Sequence, residues 1–66
     1  MARSSVIQRA LYDATAQTLT ITLVSGRTYA YEDVPRETYD AFVRAESQGA
    51  FYNAHIRDEF YMHELE

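Results

Sequence analysis

The 66-residue sequence contains no cysteine and no tryptophan, and it has only two glycines and one proline. Without cysteine the chain can form neither disulfide bonds nor thiolate zinc sites, which fits a reducing compartment. It also lacks an apolar run long enough for a secretory signal or for the roughly 20 residues of a membrane-spanning helix. We therefore expect a soluble, cytoplasmic protein with no membrane partner.

Lysine is also absent, so all six basic residues are arginines, and the formal net charge is −4. An acidic protein lacks the long-range attraction that draws basic proteins to nucleic acids, so RNA binding would need a local arginine cluster. The length allows one domain with a thin core. We expect this domain to span residues 1–64, and we interpret Leu65 and Glu66 as a cloning scar.

Three segments in the first half of the chain are predicted to be β-strands: residues 5–13, 18–24 and 27–32. The alternation is clearest in "TLTITLV", where Leu19, Ile21 and Leu23 are separated by threonines. Such a pattern is typical of a strand with one buried face and one solvent-facing face.

The second half has helical signals. Pro35 suits the first turn of a helix within residues 33–47. The spacing of apolar residues in this helix predicts a buried stripe: Tyr39, Phe42 and Val43.

Ser47 suits the N-cap of a second helix, which is expected to continue through residues 50–60. We expect its inward side chains to be Phe51 and Ile56, with Phe60 near the end, and its surface side chains to be Tyr52 and Asn53. An alternative is that Tyr52 and Tyr61 extend a stacking surface. The predicted architecture is an α+β fold: a three-stranded antiparallel meander followed by two short helices packed on one face.

The turn between the second and third strands decides which face Tyr29 and Tyr31 occupy, because directly opposed residues share a face. A two-residue loop, Ser25-Gly26, would place both tyrosines on the threonine face. A three-residue loop that begins at Val24 and ends with a left-handed Gly26 would place them with the leucines and isoleucine, in the core. We favour the longer loop, because Ser-Gly is a weak two-residue turn and Gly26 supplies the left-handed position.

Several short segments resemble, in this order and spacing, the KTSC domain, a family named for the C-terminus of some lysyl-tRNA synthetases. They are "SSVI", "LYD", "LTITL", "SG", "YAY", "VP" and "AESQGAFYN", and they extend from Ser4 to about Ile56. The resemblance marks Tyr29-Ala30-Tyr31 as the YxY hallmark of the family. It implies RNA binding only through the synthetase context, and it implies no catalytic residues.

The leading functional hypothesis is an RNA-binding module. Arg27, Tyr29 and Tyr31 alternate along one strand and share a face, and Arg9 on the first strand could join them. Arginine pairs with phosphate, and tyrosine stacks on unpaired bases. The competing interpretation is that both tyrosines belong to the core and that Arg27 only flanks the turn.

The alternative function is a protein-interaction or accessory module. A three-stranded sheet with helices on one side leaves an outer face and two edges, and an open edge can accept a strand from a partner. The outer face would carry a polar set: Thr18, Thr20, Thr22, Thr28 and Ala30. Binding through phosphates should weaken steeply with salt, whereas strand addition should not.

A metal site is the third candidate, because His55, Glu59 and His63 are spaced by four and would align on a sufficiently long helix. The spacing is common by chance, and no HExxH motif or nucleophile elbow is present. We therefore expect no metal, no cofactor and no enzymatic activity.

Overall fold

The computed structural model describes residues 6–65, which form four strands and two helices. In chain order they are β1 (Ile7–Asp13), β2 (Thr18–Leu23), β3 (Thr28–Tyr31), α1 (Arg36–Arg44), α2 (Gln48–His55) and β4 (Met62–Leu65). The strands form a single antiparallel sheet in the order β1-β2-β3-β4. The predicted α+β class is confirmed.

The expected number of three strands is wrong, because β4 pairs with the edge of β3 that the prediction left open. The second helix ends at His55 instead of residue 60, which leaves a segment long enough to turn the chain back along β3. Leu65 ends β4 and lies opposite Thr28. The interpretation of the last two residues as a cloning scar stays a prediction.

The other predicted elements are present with shorter boundaries. The first strand begins at Ile7, and residue 5 lies outside the described residues. The first helix is confined to Arg36–Arg44, and Pro35 is its N-cap residue, with a backbone ψ of 152° that is extended and not helical. Ser47 caps α2 as predicted, since its Oγ accepts a hydrogen bond from the Ala50 backbone N–H at 3.2 Å.

The β2–β3 turn is the predicted three-residue loop. Gly26 has a φ of 103°, which is in the left-handed region that favours glycine. Its N–H donates to the Leu23 carbonyl oxygen at 2.9 Å, and the Leu23 N–H donates to the Arg27 carbonyl oxygen at 2.8 Å. The resulting register places Ile21 opposite Tyr29. Both tyrosines of the YxY segment therefore lie on the face of the sheet that carries the apolar residues of β2.

The two helices cover one face of the sheet, which we call the inner face. The fully or nearly fully buried core on this side is formed by seven residues: Leu19, Ile21, Tyr31, Val34, Phe42, Tyr52 and Ile56. Within residues 6–65, no helix lies over the opposite, outer face. As predicted, it carries the threonines of β2 and β3, and the Oγ atoms of Thr22 and Thr28 lie 3.2 Å apart.

Tyr12 fastens β1 to the segment before α1. Its hydroxyl donates to the Val34 carbonyl oxygen at 2.6 Å, and its ring stacks on Tyr39 with centroids 4.5 Å apart. The hydrogen bond satisfies the Tyr12 hydroxyl, which would be costly to bury without a partner.

Two expectations about the helices are wrong. Val43 is exposed, because the neighbouring Phe42 takes the inward position and the next residue points about 100° further around the helix. Tyr52 is buried and not on the surface, because it lies three residues after the buried Gly49 and four before the buried Ile56, on the inward side of α2. This second difference changes the location of the candidate site.

Candidate functional site

The structure separates Arg9 from the other three residues of the predicted RNA site. Arg9 lies opposite Thr22, whereas Tyr29 lies opposite Ile21, so Arg9 is on the outer face and Tyr29 is on the inner face. A flat surface that combines all four predicted residues therefore does not form. Arg27, Tyr29 and Tyr31 do share the inner face, as their alternation predicts.

Tyr31 is part of the core. Its side chain is fully buried, and its ring meets the rings of Tyr29 and Tyr52 edge to face, with centroids 6.5 and 5.9 Å away. The hydroxyl oxygens of Tyr31 and Tyr52 are 2.5 Å apart. A ring enclosed in this way has no free face on which a nucleobase could stack.

Burial is also the main reason why the pKa of Tyr31 lies well above its usual value of 10. The hydrogen bond to Tyr52 raises the pKa further, and the positive charge of Arg57 lowers it slightly. Tyr31 therefore stays protonated throughout the physiological pH range and acts as a neutral hydrogen-bonding group.

Tyr29 has a different environment from Tyr31, although the two are only two residues apart in β3. Its side chain is half-buried, and it lies near the hairpin end of the inner face, which the helices leave partly open. Arg27 precedes it on the same face with a side chain that is 63% exposed, and its guanidinium lies 3.6 Å from a Glu64 carboxylate oxygen. An ion pair this exposed is worth under about 1 kcal/mol, so the arginine can exchange partners at little cost.

A pocket of about 400 Å³ opens beside Tyr29. Tyr29, Tyr31 and Tyr52 form one part of its wall, and we call it the tyrosine pocket. The aliphatic part of the wall comes from three separate places in the chain: Val6, Leu23 and Met62. The volume is at the lower end of the range of small-molecule sites, which is about 300–1,000 Å³.

The polar rim of the tyrosine pocket comes from the end of α2 and the turn that follows it. It consists of Asn53, Arg57 and Asp58. Arg57 is oriented by two contacts: its backbone N–H donates to the Tyr52 carbonyl oxygen at 2.8 Å, and its Nη1 donates to Asn53 Oδ1 at 3.3 Å. The pocket thus combines aromatic rings, hydroxyls, one amide, one guanidinium and one carboxylate, which suits a planar ligand with polar edges.

Arg57 and Met62 are not predicted from the sequence to belong to a site, and Tyr52 is predicted to join a stacking surface only as an alternative. Tyr52 could have been found from its helical spacing with Gly49 and Ile56. Met62 enters the pocket only because β4 pairs with β3, and Arg57 only because α2 stops early, so no local pattern marks either residue.

The three residues of the predicted metal pattern do not come together on one helix. His55 is the last residue of α2, and its ring packs against Phe51 at 4.6 Å. His63 is in β4, where its Nδ1 lies 3.2 Å from a Glu32 carboxylate oxygen. Within residues 6–65 no group of three histidine, aspartate or glutamate side chains is arranged to hold a metal ion.

In the described part of the chain, no helix is long and apolar enough to cross a membrane.

The fold and the pocket define a small α+β domain with a four-stranded antiparallel sheet, one helical layer and an open end on the inner face. The sequence model of the KTSC domain matches residues 3–61 of this chain. The chain therefore belongs to the KTSC domain family, as the segments around the YxY motif predicted.

The chain is also similar to two known proteins. A protein from Tsukamurella paurometabola is 40% identical over 57 residues, which cover 86% of this chain and 85% of the relative. The crystal structure of a KTSC domain protein from Yersinia pestis is similar with a TM-score of 0.80 and 30% identity, over 100% of this chain and 94% of the other.

Proposed function

We propose that this domain is a non-catalytic module that binds single-stranded RNA through Arg27, Tyr29 and the tyrosine pocket. The observation that carries the proposal is the open pocket beside the half-buried Tyr29, with Arg57 in its wall and the exposed Arg27 on the same face of the sheet. Single-stranded RNA is recognised by proteins through unstacked bases on aromatic rings and phosphates on arginines.

This site differs from the one predicted from the sequence. Tyr29 provides the aromatic surface, and Tyr31 supports it from the wall of the tyrosine pocket without a ring face free for stacking. Arg57 takes the role expected of Arg9, which lies on the other face of the sheet. The net charge of −4 means that attraction comes from these two arginines and not from the whole surface.

Binding should be weak and salt-dependent. With two phosphate contacts, raising the salt concentration fourfold should lower the affinity for a single strand about sevenfold, from a slope of about −0.7 per contact. Stacking on Tyr29 should contribute about 1–3 kcal/mol per base.

The test is fluorescence anisotropy of a labelled single-stranded RNA with the whole chain and three variants, at 50 and 200 mM salt. We expect Tyr29→Ala to weaken binding at least about fivefold. We expect Arg27→Ala to weaken it and to flatten the salt dependence, since one phosphate contact is lost. Arg9→Ala is the matched control, because it removes the same charge from the outer face and should bind like the wild type. Equal losses in Arg9→Ala and Arg27→Ala, or no binding at low salt, would contradict the proposal.

A protein partner that adds a strand to the sheet is the second candidate, and the specific observation for it is β4. This strand lies at one edge of the described sheet, and all four of its residues are exposed. Main-chain pairing at such an edge would be insensitive to salt and to Tyr29→Ala. Salt-independent binding of a peptide would therefore favour this second function.

A further inference from the structure

The outer edge of β1 presents main-chain groups that can pair with a further strand. Within the described residues, the sheet ends at β1, which pairs with β2 on one side only. The Leu23 N–H donates across the hairpin to β3 at 2.8 Å, so its main-chain polar groups face β3. These groups alternate in direction along a strand, so those of Thr20 face β1, where Leu11 lies opposite. Leu11 therefore bonds to β2, and the N–H and C=O groups of its neighbours Ala10 and Tyr12 point away from the sheet.

The exposed side chains of β1 carry a charge pattern along this edge. Arg9, Leu11 and Asp13 follow one another on the outer face, and all three are exposed. Leu11 is apolar and yet 56% exposed. Among the described residues, neither Arg9 nor Asp13 takes part in an ion pair. Asp13 Oδ1 accepts from two backbone N–H groups of the next turn, which leaves Oδ2 available to a cation.

This pattern is complementary to itself when the strand is reversed. Two copies that pair through the same strand in antiparallel direction are related by a two-fold axis perpendicular to the sheet. Directly opposed residues share a face, so the axis passes through a residue that opposes itself. With the axis at Leu11, the two leucines meet at the centre, and Arg9 of each copy opposes Asp13 of the second copy.

The other registers fit less well. An axis at Arg9 or at Asp13 would oppose two like charges, which destabilises a strand pair. An axis at Ala10 would set Leu11 against Arg9 of the second copy, and an axis at Tyr12 would set it against Asp13. Neither of these two registers forms an ion pair between opposed residues of β1.

The main chain favours the same register. Ala10 and Tyr12 of one copy would exchange hydrogen bonds with Tyr12 and Ala10 of the second, through the groups that point outward. The two Leu11 residues would form a non-hydrogen-bonded pair, in which side chains approach most closely. The bulge between Ile7 and Arg9 lies at the end of this segment, so the pairing stops there.

We propose that β1 is a self-association surface, through which two copies of the chain pair antiparallel about Leu11 and join their four-stranded sheets into one. None of the residues from Arg9 to Asp13 lines the tyrosine pocket, and the two-fold axis keeps both pockets on the same side of the joined sheet. The inference goes beyond the proposed RNA-binding function and does not depend on it. The paired segments are short, so the dimer is expected to be weak and reversible.

The first test is sedimentation equilibrium of the whole chain at concentrations that rise to the millimolar range. We expect the mass to increase from 7.6 kDa towards that of two chains. Leu11→Arg places two like charges opposite each other at the axis and should stay monomeric. Val43→Arg is the matched control, because it adds the same charge at another exposed apolar residue, on α1, and should dimerise like the wild type. Circular dichroism checks that both variants are folded.

The second test exchanges the charges. Arg9→Glu and Asp13→Arg each oppose like charges and should raise the dissociation constant of the dimer about tenfold or more. An equimolar mixture of these two variants opposes unlike charges at both positions and should recover association. Asp13→Arg also removes the acceptor of the turn, so its fold is checked by NMR, and the result for Leu11→Arg decides the inference if this variant does not fold.

Two results would overturn the inference. One is the mass of a single chain at every concentration, and the other is a dimer that Leu11→Arg leaves as stable as the wild type. Recovery in the mixture of charge variants would support the register centred on Leu11, whereas folded variants that dimerise like the wild type would contradict it. RNA binding is measured separately through Arg27 and Tyr29, so either proposal can fail while the other stands.

Discussion

The two ends of the inner face differ although the same strands form both. At one end α1 and α2 close over Tyr31 and Leu19, and these two side chains and Phe42 of α1 are buried. At the hairpin end the helices stop short, and Tyr29 lines an open pocket. The difference shows that alternation along a strand assigns a face, whereas the coverage of that face by other elements determines whether a side chain is core or contact surface.

The largest effect should come from the closed end. We expect Tyr31→Ala to lower the free energy of unfolding by about 3–5 kcal/mol, as other aromatic truncations in cores do, because it leaves a cavity and removes the partner of Tyr52. Tyr29→Ala should cost less than half of this, since its side chain is only half-buried. Urea denaturation followed by circular dichroism measures both values. Equal losses at the two positions would remove the distinction between the two ends.

The raised pKa of Tyr31 predicts a loss of stability in alkali. Ionisation is disfavoured in the folded state, so the unfolded chain, with a tyrosine pKa of about 10, releases this proton first. The contribution is fully present below pH 10 and is lost as the pH rises above it, by up to about 1.4 kcal/mol per pH unit. Denaturation between pH 8 and 11 should show a steeper loss in the wild type than in Tyr31→Phe. Parallel curves would show that Tyr31 ionises freely.

Both ends depend on Gly26, because its left-handed conformation fixes the hairpin register. That register puts Tyr29 and Tyr31 on the inner face. Gly26→Ala should cost about 1–2 kcal/mol from backbone strain alone, since an added Cβ would meet no atom within 4 Å. Gly26→Asn should cost less, because asparagine tolerates this conformation better. Measuring the free energy of unfolding of both variants tests whether Gly26→Ala destabilises the protein more than Gly26→Asn. A loss in Gly26→Asn as large as that in Gly26→Ala would contradict it.

The smallest effect is expected at the open end. Arg27→Ala breaks an exposed ion pair with Glu64 and should change the free energy of unfolding by less than about 1 kcal/mol. The effect should shrink further at high salt. Thermal unfolding at two salt concentrations measures it, and a loss comparable to that of Tyr31→Ala would show that Arg27 is structural and not part of an adaptable surface.

Several features could be predicted from the sequence because they depend on nearby residues. The threonine alternation defined β2, the serine at position 47 defined the cap of α2, and Gly26 favoured the longer hairpin loop. The register of the hairpin then placed the tyrosines of the YxY segment correctly.

The remaining features depend on contacts between distant parts of the chain. The four residues of β4 form a strand by pairing with β3, more than thirty residues earlier, and no turn signal or apolar run marks them. The tyrosine pocket needs both β4 and the early end of α2, so Arg57 and Met62 could not be assigned to a site from local patterns. The burial of Tyr52 could have been predicted from its helical spacing with Gly49 and Ile56. The alternation of apolar and polar faces is weak in α2, so this signal is faint.

The most direct test of the central claim, that the hairpin end of the inner face is the contact surface, is an NMR titration of the labelled chain with a short single-stranded oligouridine at low salt. The account predicts shifts at Arg27, Tyr29 and Arg57 that recede as salt is added, with little change at the outer-face residues Arg9 and Thr20. Shifts concentrated on the outer face, or none at all, would contradict it.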